Sequence, residues 1–500
     1  MKKTASLIPL SLVALLSFQM LLSSCGSASR PAETTSAAGQ TAAAQTEEQI
    51  DYASLTLLER LQIDHDAVSD DLPEMDLGGE EIIVHCTRGV EVAGPDEQTG
   101  DILDDVMYLR NAEIEERFNC KLTNHHMESS DYGDYVAKMN KFFLSGDDVI
   151  DLMYVWNTTA STFASQGFLT DLTALPYIDF EKPWFYKEAT QRLSYKNHTF
   201  VSVDLLGGYS LYSALNCVFF NKDIAADYQL ENLYDVVRDD RWTFDYVRGI
   251  TKDLYSDLNG NNEVDIGEDL FGYEIRLNQF SYEGIPAMGL YIIGKDADDM
   301  PYLAPSTNIE RFEKIYTALR DYIKDSKSVA YSVWTGENNF ANGNYLLSSG
   351  DLKGMNGYRN VNFNIGVLPQ YKFDESQEKY YSSFIPDPSA IPSTCATPER
   401  SALILSAYAA GGFKKAAVPY FETVVKNKYT TDEDSAEMLN IMASNVTTDG
   451  TIMFTDALIY TFLNFADGNK EFSSFWASQE KSAQKFLDKL AASLDETLGL

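Results

Sequence analysis

Twelve residues near the middle of the chain, Asp257 to Glu268, read DLNGNNEVDIGE. They place Asp257, Asn259, Asn261, Asp265 and Glu268 at loop positions 1, 3, 5, 9 and 12, with Glu263 at position 7, where a backbone carbonyl serves. Oxygen donors at that rhythm suit a hard cation and describe an EF-hand-like calcium loop. The pattern wants glycine at position 6, and Asn262 stands there; asparagine tolerates the left-handed backbone conformation better than other non-glycine residues. Leu258 and Val264 are expected to pack inward. Bound calcium would staple an insertion and carry no chemistry, and the competing reading is a solvated acidic turn.

Motifs for covalent or phosphoryl chemistry fail on inspection. Gly289 to Asp296, GLYIIGKD, has the spacing of a phosphate loop, but Asp296 stands where Ser or Thr must ligate magnesium and the intervening residues are bulky. The five histidines form no HExxH or His-x-His pattern, and His125 and His126 point to opposite faces if their segment is a strand. No Gly-x-Ser-x-Gly occurs. Aromatic residues are more informative: 30 tyrosines, 27 phenylalanines and five tryptophans. Sugar rings stack their apolar faces on aromatic rings, while their hydroxyls need polar partners such as Asn, Asp and Arg. Trp156, with Asn157 beside it, and Trp334 in the polar loop YSVWTGENN are the candidate platforms, with core packing as the rival reading. Trp242 and Trp476 fall in helical contexts and read as core.

The N-terminus begins with Lys2 and Lys3, then an apolar run from Leu7 to Leu22, then Ser23-Ser24-Cys25. This reads as a secretory signal over residues 1–24, and its ending resembles a bacterial lipobox. That resemblance implies that Cys25 becomes the new N-terminus and carries lipid; an incidental cysteine is the alternative. Residues 25–49 hold almost no large apolar side chain and read as a flexible tether. The formal charge of −36 argues against nucleic acid and anionic headgroups as partners, so a membrane is reached through the lipid anchor only. Cys86, Cys120, Cys217 and Cys395 lie far apart without a CxxC; they make two bridges, one or none, or serve as small buried hydrophobes.

The elements that must position these residues alternate. EEIIVHC reads as a strand, DDVMYLRNAEIEERF as a helix, KLTNHHM as extended, YGDYVAKMNKFFLSG as a helix stopping at Gly146, DVIDLMYVW as a strand and STFASQGFL as a short helix. Such alternation argues for a parallel sheet flanked by helices, with ligand at the carboxyl ends of its strands: Cys86–Arg88, Met127–Ser129 and Val155–Thr158. A second series starts near Phe200 with HTFVSVDL and ALNCVFFNKDIAADY and runs through FGYEIRL, IERFEKIYTALRDYIKD, NNFANGNYLLSS and FNIGVLPQY. The last third reads as mostly helical.

The order SGDDVIDLMYVWNTT, FASQGFLTDLTAL, ALNCVFFNKDIAADYQLENLYDVVRDDRWTFDYVRGITKDL, FANGNYLLSSG and FNIGVLPQYK, behind a lipobox and a tether, resembles extracellular solute-binding proteins of ABC importers of the sugar or oligosaccharide type. The resemblance spans roughly residues 79 to 490. It implies two α/β lobes joined by crossing strands, with ligand trapped in the cleft between them. Lobe 1 is then 79–200 with a return segment near 367–410, lobe 2 is 201–366 with the calcium-like insertion 257–268, and a helical part, 411–500, completes the lobes. Val201–Asp204 reads as the first crossing and Val367–Tyr371 as the return. Asp204 and Tyr209, just after the first crossing, are expected to face the cleft, as is Arg88. The resemblance further implies a non-enzymatic, extracytoplasmic monomer that binds an oligosaccharide and meets the importer's membrane subunits. Two rivals stand beside it: a calcium-stapled adhesion scaffold and a tethered glycan hydrolase.

Overall fold

Helix signals in the sequence are met at the residue level. The computed structural model describes residues 50–87, 93–129, 131–276, 280–332, 339–358, 360–384, 387–422, 433–450, 454 and 470–500. Strand β1 (Glu80–Cys86) leads to α1 (Ile102–Phe118), whose first turn is capped by the Asp101 side chain accepting from the Leu103 N–H. Asn119 ends α1 in the left-handed conformation, and β2 (Cys120–His125) follows at once. Helix α2 (Tyr132–Ser145) is capped by Asp131 and stops at Gly146, φ 70°, as its sequence predicts. Strand β3 (Leu152–Tyr154) is only three residues long, and α3 (Asn157–Ser165) starts earlier than expected, directly after Trp156.

The second series supplies β4 (Asn216–Asn221), α4 (Phe244–Thr251), β5 (Phe271–Arg276), α5 (Ile309–Asp325), β6 (Val329–Ser332), β7 (Tyr345–Asp351) and β8 (Ile365–Pro369). The short β9 (Ser389–Ala390), α6 (Pro398–Gly411) and the long α7 (Phe472–Leu498) follow. Two principal sheets result, with orders β9-β3-β1-β2 and β8-β4-β7-β5-β6. In the first, β1 runs parallel to β2 and β3 while β9 is antiparallel to β3. In the second, β4 is antiparallel to β7 and β8, and β5 is parallel to β6 and β7. Strands buried on both faces explain why LMY and the CVFF of β4 are continuous apolar runs rather than alternating ones. Cys86, Cys120, Cys217 and Cys395 are free, buried thiols, which settles the open alternatives in favour of small hydrophobes.

The chain crosses between the sheets where Ser202 pairs with Ser389, each N–H donating to the other's carbonyl at 2.8 and 2.9 Å. Val367–Tyr371, expected to be the return crossing, lies elsewhere. Residues 365–369 pair with β4 in the second sheet, and Lys372 continues against Trp242 and Phe244 at the start of α4. An edge strand and a crossing segment are both extended and apolar, so periodicity alone does not separate them. The chain re-enters the first sheet only at Ser389–Ala390.

Candidate functional site

Parallel β1, β2 and β3 end on one side, and Trp156 sits two residues beyond β3, at the N-cap of α3. Its carbonyl accepts from the Thr159 N–H at 2.9 Å and the Thr159 hydroxyl at 2.7 Å, which holds the turn that projects the indole. The ring is half-buried. Tyr132 stacks on it with centroids 5.7 Å apart, and Tyr135 meets it edge-on at 5.1 Å. Asn157 begins α3, and its N–H donates to the Asp387 carboxylate at 3.2 Å; Val155 donates to the Pro388 carbonyl at 3.0 Å. The return segment therefore seats an acidic residue at the start of α3, where the helix dipole favours it. Asp387, Tyr132 and Tyr135 were not singled out from sequence. Asp387 is 230 residues from Asn157, and nothing local signals the meeting.

Asp204 does not face a cleft. Its side chain is 2% exposed and accepts from the Ser202 hydroxyl, the Ser389 hydroxyl at 3.0 Å and the Leu206 N–H at 2.9 Å. Burial pushes its carboxyl up to about 6, against the opposing pull of those donors. It fastens the two crossing segments to each other. Tyr209 is half-buried and stacks on Tyr420 at 4.6 Å and 12°. Trp156 and Tyr209 thus pack against different partners. Arg88, Trp334 and Cys25 lie outside the described residues.

The second sheet contributes an edge that sequence reading missed. Asn216, at the start of β4, pairs with Asp351 at the end of β7, and Arg276 ends β5 with its guanidinium donating to the Ser349 carbonyl. The Asn216 amide donates to Glu283 at 3.2 Å and to the Gly350 carbonyl at 3.1 Å. This polar edge adjoins the crossings, because the Ser382 hydroxyl, on the return path, donates to the Asn216 carbonyl at 2.7 Å. A separate cavity of about 690 Å³ lies between the helix Lys187–Arg192 and the hairpin Ile293–Leu303. Its cations are already paired, Lys187 with Glu181, Arg192 with Glu188 and Lys295 with Asp299. None of the residues expected from sequence lines it.

In the loop Asp257–Glu268 the side chains of Asn259, Asn261, Asp265 and Glu268 meet, while Asp257 turns to the loop's own backbone. Asp257 accepts from the Gly260 and Asn262 N–H groups; the Asn259 amide donates to Asp265 at 2.9 Å and Glu268 at 3.1 Å, and Asn261 donates to Asp265 at 2.5 Å. Asn262 takes the left-handed conformation, φ 65°, at the position where the pattern requires it. The carbonyl of Glu263 accepts from the Tyr255 hydroxyl at 2.9 Å. Leu258 and Val264 do not pack inward: they are 59% and 51% exposed. Asp269 does the anchoring instead, accepting from Leu258 N–H, Asp265 N–H and the Tyr255 hydroxyl, and the hydrogen bond from Asp265 holds its carboxyl below the usual range. Strand β5, not a helix, follows the loop. Among the described residues, no three His, Cys, Asp or Glu side chains form a metal-ready group by themselves. The Asn259 and Asn261 amides stand between the carboxylates here, and their oxygens belong to a hard-cation donor set once the amides turn.

Among the described residues no helix is long and apolar enough to cross a membrane. No protein-family profile and no curated protein sequence matches the chain. Solved structures do, at low identity. An ABC substrate-binding protein from Listeria monocytogenes, in complex with cycloalternan, aligns with a TM-score of 0.52 and 16% identity over 84% of this chain and all of that one. The GacH receptor of Streptomyces glaucescens, solved unliganded and with acarbose, gives 0.53 and 12% over 82% of this chain and 99% of that one. UgpB from Mycobacterium tuberculosis, in complex with glycerophosphocholine, gives 0.54 and 14% over 82% and 98%. The chain has the two-lobed α/β fold of ABC-transporter solute-binding proteins.

Proposed function

We propose that this protein is the lipid-anchored, extracytoplasmic solute-binding subunit of an ABC importer, capturing a neutral oligosaccharide between its lobes by hinge closure. The observation that carries the reading is Trp156, a half-buried indole backed by two tyrosines at the carboxyl end of β3, beside the crossings. Neighbours with this fold were solved with cycloalternan and acarbose, and one with glycerophosphocholine, so the fold by itself does not choose the ligand. A net charge of −36 disfavours an anionic solute, and the aromatic face of Trp156 supports a sugar ring as the partner. Ligand that contacts both lobes stabilises the closed state by its differential affinity. Cys25 would carry the lipid, with residues 26–49 as tether, and the protein works as a non-enzymatic monomer. Asp257, Asn259, Asn261, Asp265, Glu268 and the Glu263 carbonyl would hold calcium, which supplies cross-linking of the insertion and no chemistry. A thermal-shift screen of neutral oligosaccharides against glycerophosphodiesters and peptides tests the reading. A rise in melting temperature with oligosaccharides alone supports it; a rise only with a phosphodiester or a peptide overturns it.

A further inference from the structure

Next to Trp156 lies a run of rings from β1, β2 and α2. His85 of β1 is in register with His125 of β2, and their Nδ1 atoms are 3.0 Å apart. The other ring nitrogen of His85 is 3.2 Å from the Tyr135 hydroxyl, and the two rings lie nearly parallel, 6° apart at 5.9 Å. Tyr135 then meets Trp156 edge-on. His85 and Tyr135 are 0% and 2% exposed. We propose that His85 is a positioning residue for the binding face: it holds Tyr135, and through it the Trp156 ring, and makes the seating of that ring sensitive to acid. This rests on the reading of Trp156 as the stacking platform.

Proton counting gives the sensitivity. Two facing Nδ1 atoms need one hydrogen between them. One extra proton can be shared, because a protonated His125 still donates to a bare His85 Nδ1; a second cannot, since both facing atoms would then carry hydrogen. His126, after β2, acts on both histidines; Cys86 on β1, Tyr132 on α2 and Asp387 on the return segment act on Tyr135, and Arg110 of α1 acts on Cys86. Among the described residues, no carboxylate hydrogen-bonds to His85 to welcome a charge. Burial, and then the neighbouring His125, hold the His85 imidazole down to about 3, and burial lowers His125 as well. A folded value below the ordinary 6.5 means the opened network takes up protons first. Its stability is complete above about pH 6.5 and drains as pH falls.

The test uses the full chain labelled with ¹⁵N-tryptophan, the Trp156 indole resonance being assigned by its loss in Trp156→Phe. Between pH 6.5 and 3 that resonance is expected to shift or fade while Trp242 stays fixed, and in His85→Gln it is expected to be insensitive to pH. In His125→Gln, which removes the charge partner from a half-exposed position, the midpoint is expected to rise. Maltotetraose, as the binding probe, is expected to lose about tenfold in affinity over the same range in wild type only. A Trp156 resonance that ignores pH, or that titrates alike in wild type, His85→Gln and His125→Gln, overturns the proposal. A titrating resonance without any sugar binding supports the positioning role and counts against the carbohydrate reading instead.

Discussion

At Asp204 three donors from two chain segments converge on one almost wholly buried carboxylate. Its folded value of about 6 against an ordinary 3.8 fixes a sign. The folded state keeps its proton where the unfolded state has lost it, so this residue's contribution is full below about pH 4 and is lost as pH rises through 6. Wild type is therefore expected to lose on the order of 2–3 kcal/mol relative to Asp204→Asn between pH 4 and pH 7, measured by denaturant unfolding at each pH. A difference that stays constant across that range would remove the argument. Sequence reading placed this residue at a crossing and then turned it the wrong way. Its burial is set by Ser389, 185 residues on, which no local pattern announces. Trp242 is core, as expected, although it lies just before α4 rather than in the helical context that the sequence suggested. It is 0% exposed, donates its indole N–H to the Pro369 carbonyl at 2.9 Å, and meets Tyr371 edge-on. Trp242→Ala is expected to cost about 3–5 kcal/mol of stability without changing the ligand affinity of the remaining folded protein.

Elements with a strong local signature were the legible ones. The stop at Gly146, the strand EEIIVHC and the helix IERFEKIYTALRDYIKD follow from caps and periodicity that a short window contains. The return crossing was misplaced because an edge strand carries the same pattern. The calcium-like loop was legible in the left-handed Asn262 and misread in its packing: Tyr255 and Asp269 anchor it while Leu258 and Val264 face solvent. Calcium at about 100 times its Kd is expected to stabilise the fold by about 2.7 kcal/mol. The double variant Asp257→Ala, Glu268→Ala should abolish that gain while leaving ligand affinity intact. Equal melting temperatures for wild type in calcium and in chelator would mean an empty turn. The thiols give an independent check on the sheets. Burial pushes Cys86 up to about 12 and Cys120 to about 11, and raises Cys217 as well. A disulfide reagent at pH 8 is expected to leave these three unmodified in the native protein and to titrate them after denaturation; rapid native labelling would contradict the packing.

At the scale of the whole molecule the proposed function needs both sheets, since capture between lobes by hinge closure requires a surface from each and the crossings that join them. Trp156 is the residue on which the proposed carbohydrate reading turns. Truncating a desolvated aromatic anchor commonly costs 2 kcal/mol or more, about thirtyfold in affinity. A core tryptophan cut to alanine lowers the stability of the free protein instead. The most direct test is calorimetric titration of wild type and Trp156→Ala with the neutral oligosaccharide that most raises the wild-type melting temperature. The account predicts tight 1:1 binding to wild type, at least about thirtyfold weaker binding to the variant, and nearly equal melting temperatures for the two proteins without ligand. Undiminished affinity in a variant that melts well below wild type would place Trp156 in the core and contradict the account.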